Sequence, residues 1–131
     1  MQWTRAALEA LVGETERLTR EFKSCDALMW GDDRDRRKRL IAEAAKDVAA
    51  MAGGTIIYGI KESGSGTRRT AESLEDGFDV ESGVSRECFL QTMRDNIHPM
   101  LSDLDAVDVQ LDEERIALVV LVVVRRDWLG A

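Results

Sequence analysis

Histidine, proline and cysteine are almost missing from this chain: one His, one Pro and two Cys in 131 residues. A lone histidine, His98, leaves no Ser-His-Asp triad, no His-Glu-x-x-His zinc site and no histidine-rich metal centre that the chain could build by itself. It stands beside Pro99, which stops a helix, so a structural role is expected. Cys25 and Cys88 fit no metal-ligand spacing, and two isolated thiols suit a reducing, cytoplasmic setting. Aromatic residues are only 5%, and no strand of the aromatic-rich RNP kind is present, so base stacking is not the expected mode of contact with a nucleic acid. The glycines of Gly64-Ser65-Gly66-Thr67 are not followed by Gly-Lys-Ser/Thr, so there is no P-loop and no ATP is expected. The longest apolar run, Ile116–Val124, is too short to cross a bilayer, and no membrane partner is expected. The first residues, with Arg5 and Glu9, lack the apolar stretch of a signal peptide.

What the chain has is charge on a globular background. Charged residues make up 33% and apolar residues 44% of the sequence, with a net charge of −7. A chain of this length suits one domain over residues 1–131, able to bury roughly two thirds of its unfolded surface. The acidic balance argues against a general nucleic-acid coat protein but permits a local basic surface. Such a surface is offered by residues 32–39, where Arg34, Arg36, Arg37, Lys38 and Arg39 stand against Asp32, Asp33 and Asp35. The doublets Arg68-Arg69 and Arg125-Arg126 add to it.

Hydrophobic periodicity gives the order α, β, α, β, α, β, β. Trp3–Val12 reads as a short amphipathic helix ended by Gly13. Arg17–Ser24 is the first strand, and a polar linker runs through Trp30 and Gly31. Arg36–Ala52 is the strongest helix, with Leu40, Ile41, Ala44, Ala45, Val48 and Met51 in one stripe. Thr55–Ile60 has the pattern of a central strand, in which Gly59 indicates a bulge or a close backbone approach. Lys61–Gly83, rich in Gly, Ser and charge, reads as one long mobile loop. Ser85 caps a helix to about Ile97. Val107–Leu111 alternates as a half-buried strand, Asp112-Glu113-Glu114 turns the chain, and Arg115–Val124 is a last strand buried on both faces near its end. The fold class is α/β (α+β): a mixed sheet of about four strands with three helices.

The most informative stretch is Gly13–Lys23, GETERLTREFK. On an extended strand, residues two apart share a face, so Glu21 and Lys23 point one way and Phe22 the other, toward a core. A carboxylate and an ammonium then sit side by side on a face not needed for packing, one able to hold a metal, a phosphate or water. Downstream stand Gly53-Gly54-Thr55-Ile56-Ile57-Tyr58-Gly59-Ile60 and then Glu62. Gly13-Glu14, Glu21-Phe22-Lys23, a helix ending in small residues, the Gly-Gly strand and the following acid occur here in the order of the Schlafen-type AlbA-like nucleic-acid-binding domains. Over about residues 3–126 the chain resembles that family. Two departures are visible: Met51-Ala52 runs straight into Gly53-Gly54, and Glu62 stands where the family usually has Asp. The family domain also normally continues past the last strand, so the domain is expected to be truncated at its C-terminal side.

The resemblance implies a nucleic-acid-binding module, DNA or RNA, with Lys23 and the arginine clusters on phosphate. In the nuclease members it implies a triad that falls on Glu16, Glu21 and Glu62, with Glu14 as the rival for the first position and Lys23 as a phosphate contact. Three carboxylates suit Mg²⁺ or Mn²⁺, which take oxygen ligands and can stabilise charge on a scissile phosphate. The Arg34–Arg39 cluster opposes the helix macrodipole, so it either grips phosphate or is a solvated helix start balanced by its aspartates. Arg68-Arg69 would close over a bound strand, or belong to a disordered loop. Three functions stay open: a phosphate-binding, regulatory module; a metal-dependent endoribonuclease or nuclease; and a degenerate oligomeric scaffold. An uncovered edge on the last strand, with Trp128 beyond it, leads to an expected homodimer.

Overall fold

The computed structural model describes residues 2–17, 19–64, 69–98 and 102–124, with the side chains of Ser102 and Val124 left aside. Arg68, Pro99, Arg125, Arg126 and Trp128 therefore lie outside the described residues. The architecture is α+β: three helices and a mixed five-stranded sheet, with a separate two-stranded hairpin.

Helix α1 spans Arg5–Glu9, shorter than the periodicity indicates: the Thr4 side chain accepts the Ala7 N–H and fixes its start, and beyond Glu9 the Leu11 and Val12 N–H groups bond three residues back in tighter turns. Strand β1 covers Arg20–Lys23. It starts later than expected because Arg17 and Arg20 bond each other's backbone in a tight turn. It ends before Ser24, whose hydroxyl caps a 3-10 helix over Cys25–Leu28. The polar linker is thus partly core, since Leu28 and Trp30 are both buried.

Helix α2 spans Arg34–Ala50, two residues earlier at its start than the stripe suggests, because Asp33 caps it by accepting the Arg36 N–H. Its stripe is as expected: Ala44, Ala45, Val48 and Met51 are buried, and Leu40 and Ile41 pack beside them. Strand β2 is Gly54–Tyr58. Gly54 has φ +132, and a Cβ there would lie 2.2 Å from the Thr19 carbonyl oxygen, so only glycine fits. Gly59, at φ +128, ends β2; its place would put a Cβ 3.0 Å from the Cβ of Ala117, the close approach its position in the strand pattern indicated.

The expected long loop over Lys61–Gly83 is instead structured. Strands β3 (Ile60–Ser63) and β4 (Thr70–Leu74) form an antiparallel hairpin, and β5 (Phe78–Asp79) joins the main sheet. The segment's glycines and serines stand mostly between β3 and β4 in sequence and on either side of β5, with Ser73 inside β4. Helix α3 spans Arg86–Asn96 under the Ser85 cap, as the sequence indicates. Strand β6 is Ser102–Gln110, starting well before Val107, and β7 is Arg115–Val124.

Strand β1 pairs with β2 in parallel, and β2, β5 and β6 pair with β7 antiparallel. The expectation of an uncovered edge on the last strand is corrected by this order: β7 lies between β2 and β6. The stretch buried on both faces is its first half, Ile116 to Val120, whereas Val123 near its end is 61% exposed. Two apolar cores line the two faces of the sheet. One joins α2, α3 and the Leu28–Trp30 segment to Ile56, Tyr58, Leu118 and Val120. The other joins α1 and the hairpin to Phe22, Ile57, Ala117 and Val119. Strand β1 has Phe22 in the second core, which leaves Glu21 and Lys23 on the α2 face.

Candidate functional site

The segment before β1 meets the hairpin through backbone hydrogen bonds, while Phe22 of β1 packs in the same core as Ile60 and Ala71. Gly13 N–H donates to Ala71 O (2.7 Å), Ala71 N–H to Glu14 O (2.8 Å) and Glu16 N–H to Arg69 O (2.7 Å). With the Thr15–Thr70 bridge, residues 13–16 lie along β4 as a third line of the hairpin. This places Glu16 beside Arg69 and the adjoining β3, which carries Glu62.

Each acid then takes a defined position. Glu16 Oε2 accepts the Phe22 N–H at 2.8 Å, tying the turn to the start of β1. Glu62 Oε1 receives Arg69 Nη1 at 2.7 Å, while its Oε2 is buried with no hydrogen-bond partner among the described residues. Glu21 is half-buried on β1. Lys23 Nζ reaches Asp47 Oδ2 on α2 at 3.6 Å. Glu14 stands apart from this group, bonded to Arg20 at 2.9 Å with Arg17 at 4.0 Å. Of the two rivals it is therefore Glu16 that lies with Glu21 and Glu62.

Burial and like charge act together here. Burial raises the pKa of Glu16, its bond from Phe22 N–H lowers it, and the charge of Glu62 raises it further. Burial also raises Glu21; Lys23 pulls it down, and Asp47, Glu16 and Glu62 push it up. Tyr58, below Glu21 and Asp47, has a buried hydroxyl without a partner among the described residues, and burial raises its pKa strongly. Four acids (Glu16, Glu21, Asp47 and Glu62) thus share a site with two bases, Lys23 and Arg69. Sequence reasoning missed Asp47 and Tyr58. The signal for Asp47 was an acid three residues after Ala44 and four before Met51, on the border of the apolar stripe.

Among the described residues, no three His, Cys, Asp or Glu side chains group closely enough to hold a metal ion. The donor set suits the looser mode common for Mg²⁺, in which one or two carboxylates share the ion with waters and phosphate oxygens. In that mode Glu62, whose Oε2 has no partner among the described residues, would hold the ion with at most one of Glu16 and Glu21. A divalent ion there would supply charge neutralisation and Lewis acidity.

The second cluster is at the start of α2. Arg34, Arg36, Arg37, Lys38 and Arg39 are all exposed. Arg36 Nη1 donates to the Met29 carbonyl at 2.9 Å, and the Arg37 guanidinium lies 5.5 Å from the centre of the Trp30 ring. Those two cations anchor the segment before α2, while Arg34, Lys38 and Arg39 have no ion pair among the described residues. Arg69 is committed to Glu62.

No protein-family model matches the chain, and no curated protein matches it with significance. Among the described residues, no helix is long and apolar enough to cross a membrane.

Proposed function

We propose that this protein is a nucleic-acid-binding module of the Schlafen AlbA-like kind that holds the phosphate backbone with the first half of α2. The distribution of unpaired cations carries this reading. Outside α2's first half, Arg5, Arg17, Arg20, Lys23, Lys61, Arg69 and Arg86 sit on carboxylates, and Lys46, Arg94 and Arg115 stand singly without an ion pair among the described residues. The five basic residues from Arg34 to Arg39 have no carboxylate partner among the described residues, in a chain with 25 acids. Cations in the first turns of a helix oppose its dipole by a few tenths of a kcal/mol each. A cluster held against that cost, with Asp33 as the cap and Asp35 the only acid in the first turn, is suited to an external anion. Phosphate contacts of this kind set position and affinity without reading sequence.

A gel-shift assay with tRNA, single-stranded DNA and duplex DNA in EDTA tests the reading. All three are expected to shift, less so as salt rises. No shift at low salt and about 100 µM protein would overturn it, since non-specific binding lies near 10⁻⁴–10⁻⁶ M at physiological salt.

The raised Glu16 and Glu21 and the unpartnered Glu62 oxygen favour a second reading, a nuclease dependent on Mg²⁺ or Mn²⁺. The same gels run with Mn²⁺ decide it. Cleavage that EDTA and Glu21→Gln both abolish supports it, and intact strands in Mn²⁺ leave binding alone.

A further inference from the structure

We infer that the cavity between the start of α2 and the start of α3 is a binding site for a single flat ring carrying an anionic group. The cavity measures about 230 Å³ and lies away from the carboxylate cluster. Drug-sized ligands occupy roughly 300–1,000 Å³, so this space suits one ring system and not a dinucleotide.

The walls define the ligand's chemistry. Trp30 and Phe89 supply aromatic surface, with Val84 beside them. Phe89 is fixed from behind by the Tyr58 ring, 5.7 Å away between centroids. Trp30 is only 7% exposed, and its indole Nε1 is buried with no acceptor among the described residues. Such an unspent donor is expensive in a wall residue. Arg37 is the charged residue of the lining, and no carboxylate partners it among the described residues. The remaining wall is the first turn of α3, with Ser85 and Cys88 at its partly positive amide end. Apolar faces with one cation and a helix start fit a ring bearing a carboxylate or phosphate. Arg37 also belongs to the α2 cluster, but Arg34, Lys38 and Arg39 do not line this cavity, so loss of backbone binding and loss of ring binding are distinguishable.

Two sources share that chemistry: a nucleotide, with its base inside and phosphate at the mouth, and a free aryl acid. The probes are adenosine 5′-monophosphate, indole-3-acetate and neutral indole. Cys88 reports occupancy, because it is exposed in the cavity wall, whereas the other thiol, Cys25, is half-buried with its pKa pushed up to about 12 and stays silent toward iodoacetamide. A saturating ring anion is expected to slow Cys88 alkylation about tenfold. Val84→Trp, which fills the cavity, should remove the protection. Arg37→Gln should weaken the anion about tenfold and change neutral indole little, the effect of losing one charged contact. Protection by the nucleotide alone, or by indole-3-acetate alone, assigns the source. The inference is overturned if neither anion protects Cys88 up to about 10 mM, a ceiling weaker than any useful affinity. It is also overturned if indole protects as well as the anions, or if a folded Val84→Trp binds unchanged. Should Val84→Trp fail to melt cooperatively, Arg37→Gln decides the point.

Discussion

Neutralising three partnerless cations in the first half of α2, as Arg34→Gln/Lys38→Gln/Arg39→Gln, should lower nucleic-acid affinity in a way that salt reveals. These side chains make no ion pair among the described residues, so their removal strands no carboxylate. The Asp33 cap and the Arg36 and Arg37 anchors stay in place. Removing cations from the first turns of a helix relieves its dipole by a few tenths of a kcal/mol each, so the fold should survive. Each phosphate contact contributes about −0.9 to the slope of log K against log salt on duplex DNA and about −0.7 on single strands. Three lost contacts flatten that slope by about 2.7 and 2.1 respectively. Between roughly 50 and 200 mM salt, a change of 2.7 means that the parent loses about 40-fold more duplex affinity than the variant. Fluorescence anisotropy of labelled strands across that range measures it, with Arg5→Gln, whose parent side chain is paired to Glu9, as the control that should keep the parental slope. A triple variant with a salt line parallel to the parent's would refute the assignment of α2. Charge reversal of Arg36 and Arg37 would be a poorer probe, because both also hold the Met29–Trp30 segment.

The carboxylate site makes stability depend on pH in a definite direction. Folding raises the pKa of Glu16 and Glu21. Both groups therefore bind more protons in the folded state, and their contribution weakens as pH rises through the folded values. Glu21→Gln should melt at a higher temperature than the parent at pH 7.5, by an amount worth less than about 1 kcal/mol for a group still partly in contact with solvent, and the gap should close toward pH 4.5. A constant gap across that range would contradict the coupling. Gly54→Ala adds a Cβ 2.2 Å from the Thr19 oxygen at φ +132 and should cost about 3 kcal/mol or more in urea unfolding; a cost under 1 kcal/mol would remove that constraint. Phe22→Ala empties a fully buried position under β1 and should cost about 3–5 kcal/mol by the same assay, whereas a near-neutral result would mean that β1 is not anchored there.

Local signals made several elements legible. The Ser85 cap, the Ala44–Met51 stripe and the apolar run from Ile116 each lie within a few residues of what they specify. The hairpin was hidden because β3 and β4 are four and five residues long, are interrupted by charges, and stand among glycines and serines that dominate the composition. Strand order was also invisible: the last strand returns to the middle of the sheet, and that pairing is set by contacts far apart in sequence. In the site, Glu16, Glu21 and Glu62 lie within electrostatic reach of one another, in keeping with the order of motifs, but among the described residues they do not group closely enough to hold a metal ion. That Lys23 is engaged by Asp47, and Arg69 by Glu62, depends on how α2 and the hairpin meet β1. Trp30 looked like linker because its burial comes from α2 and α3, not from its neighbours in sequence.

Backbone amide NMR of the ¹⁵N-labelled protein, titrated with a short oligonucleotide, tests the central claim residue by residue. Shifts that grow with added strand should concentrate on the first half of α2, around Arg34, Lys38 and Arg39, and fade as salt is raised. Shifts confined to the acidic outer strand β6, around Asp105 and Asp108, or no shifts on α2 at saturation, would contradict it.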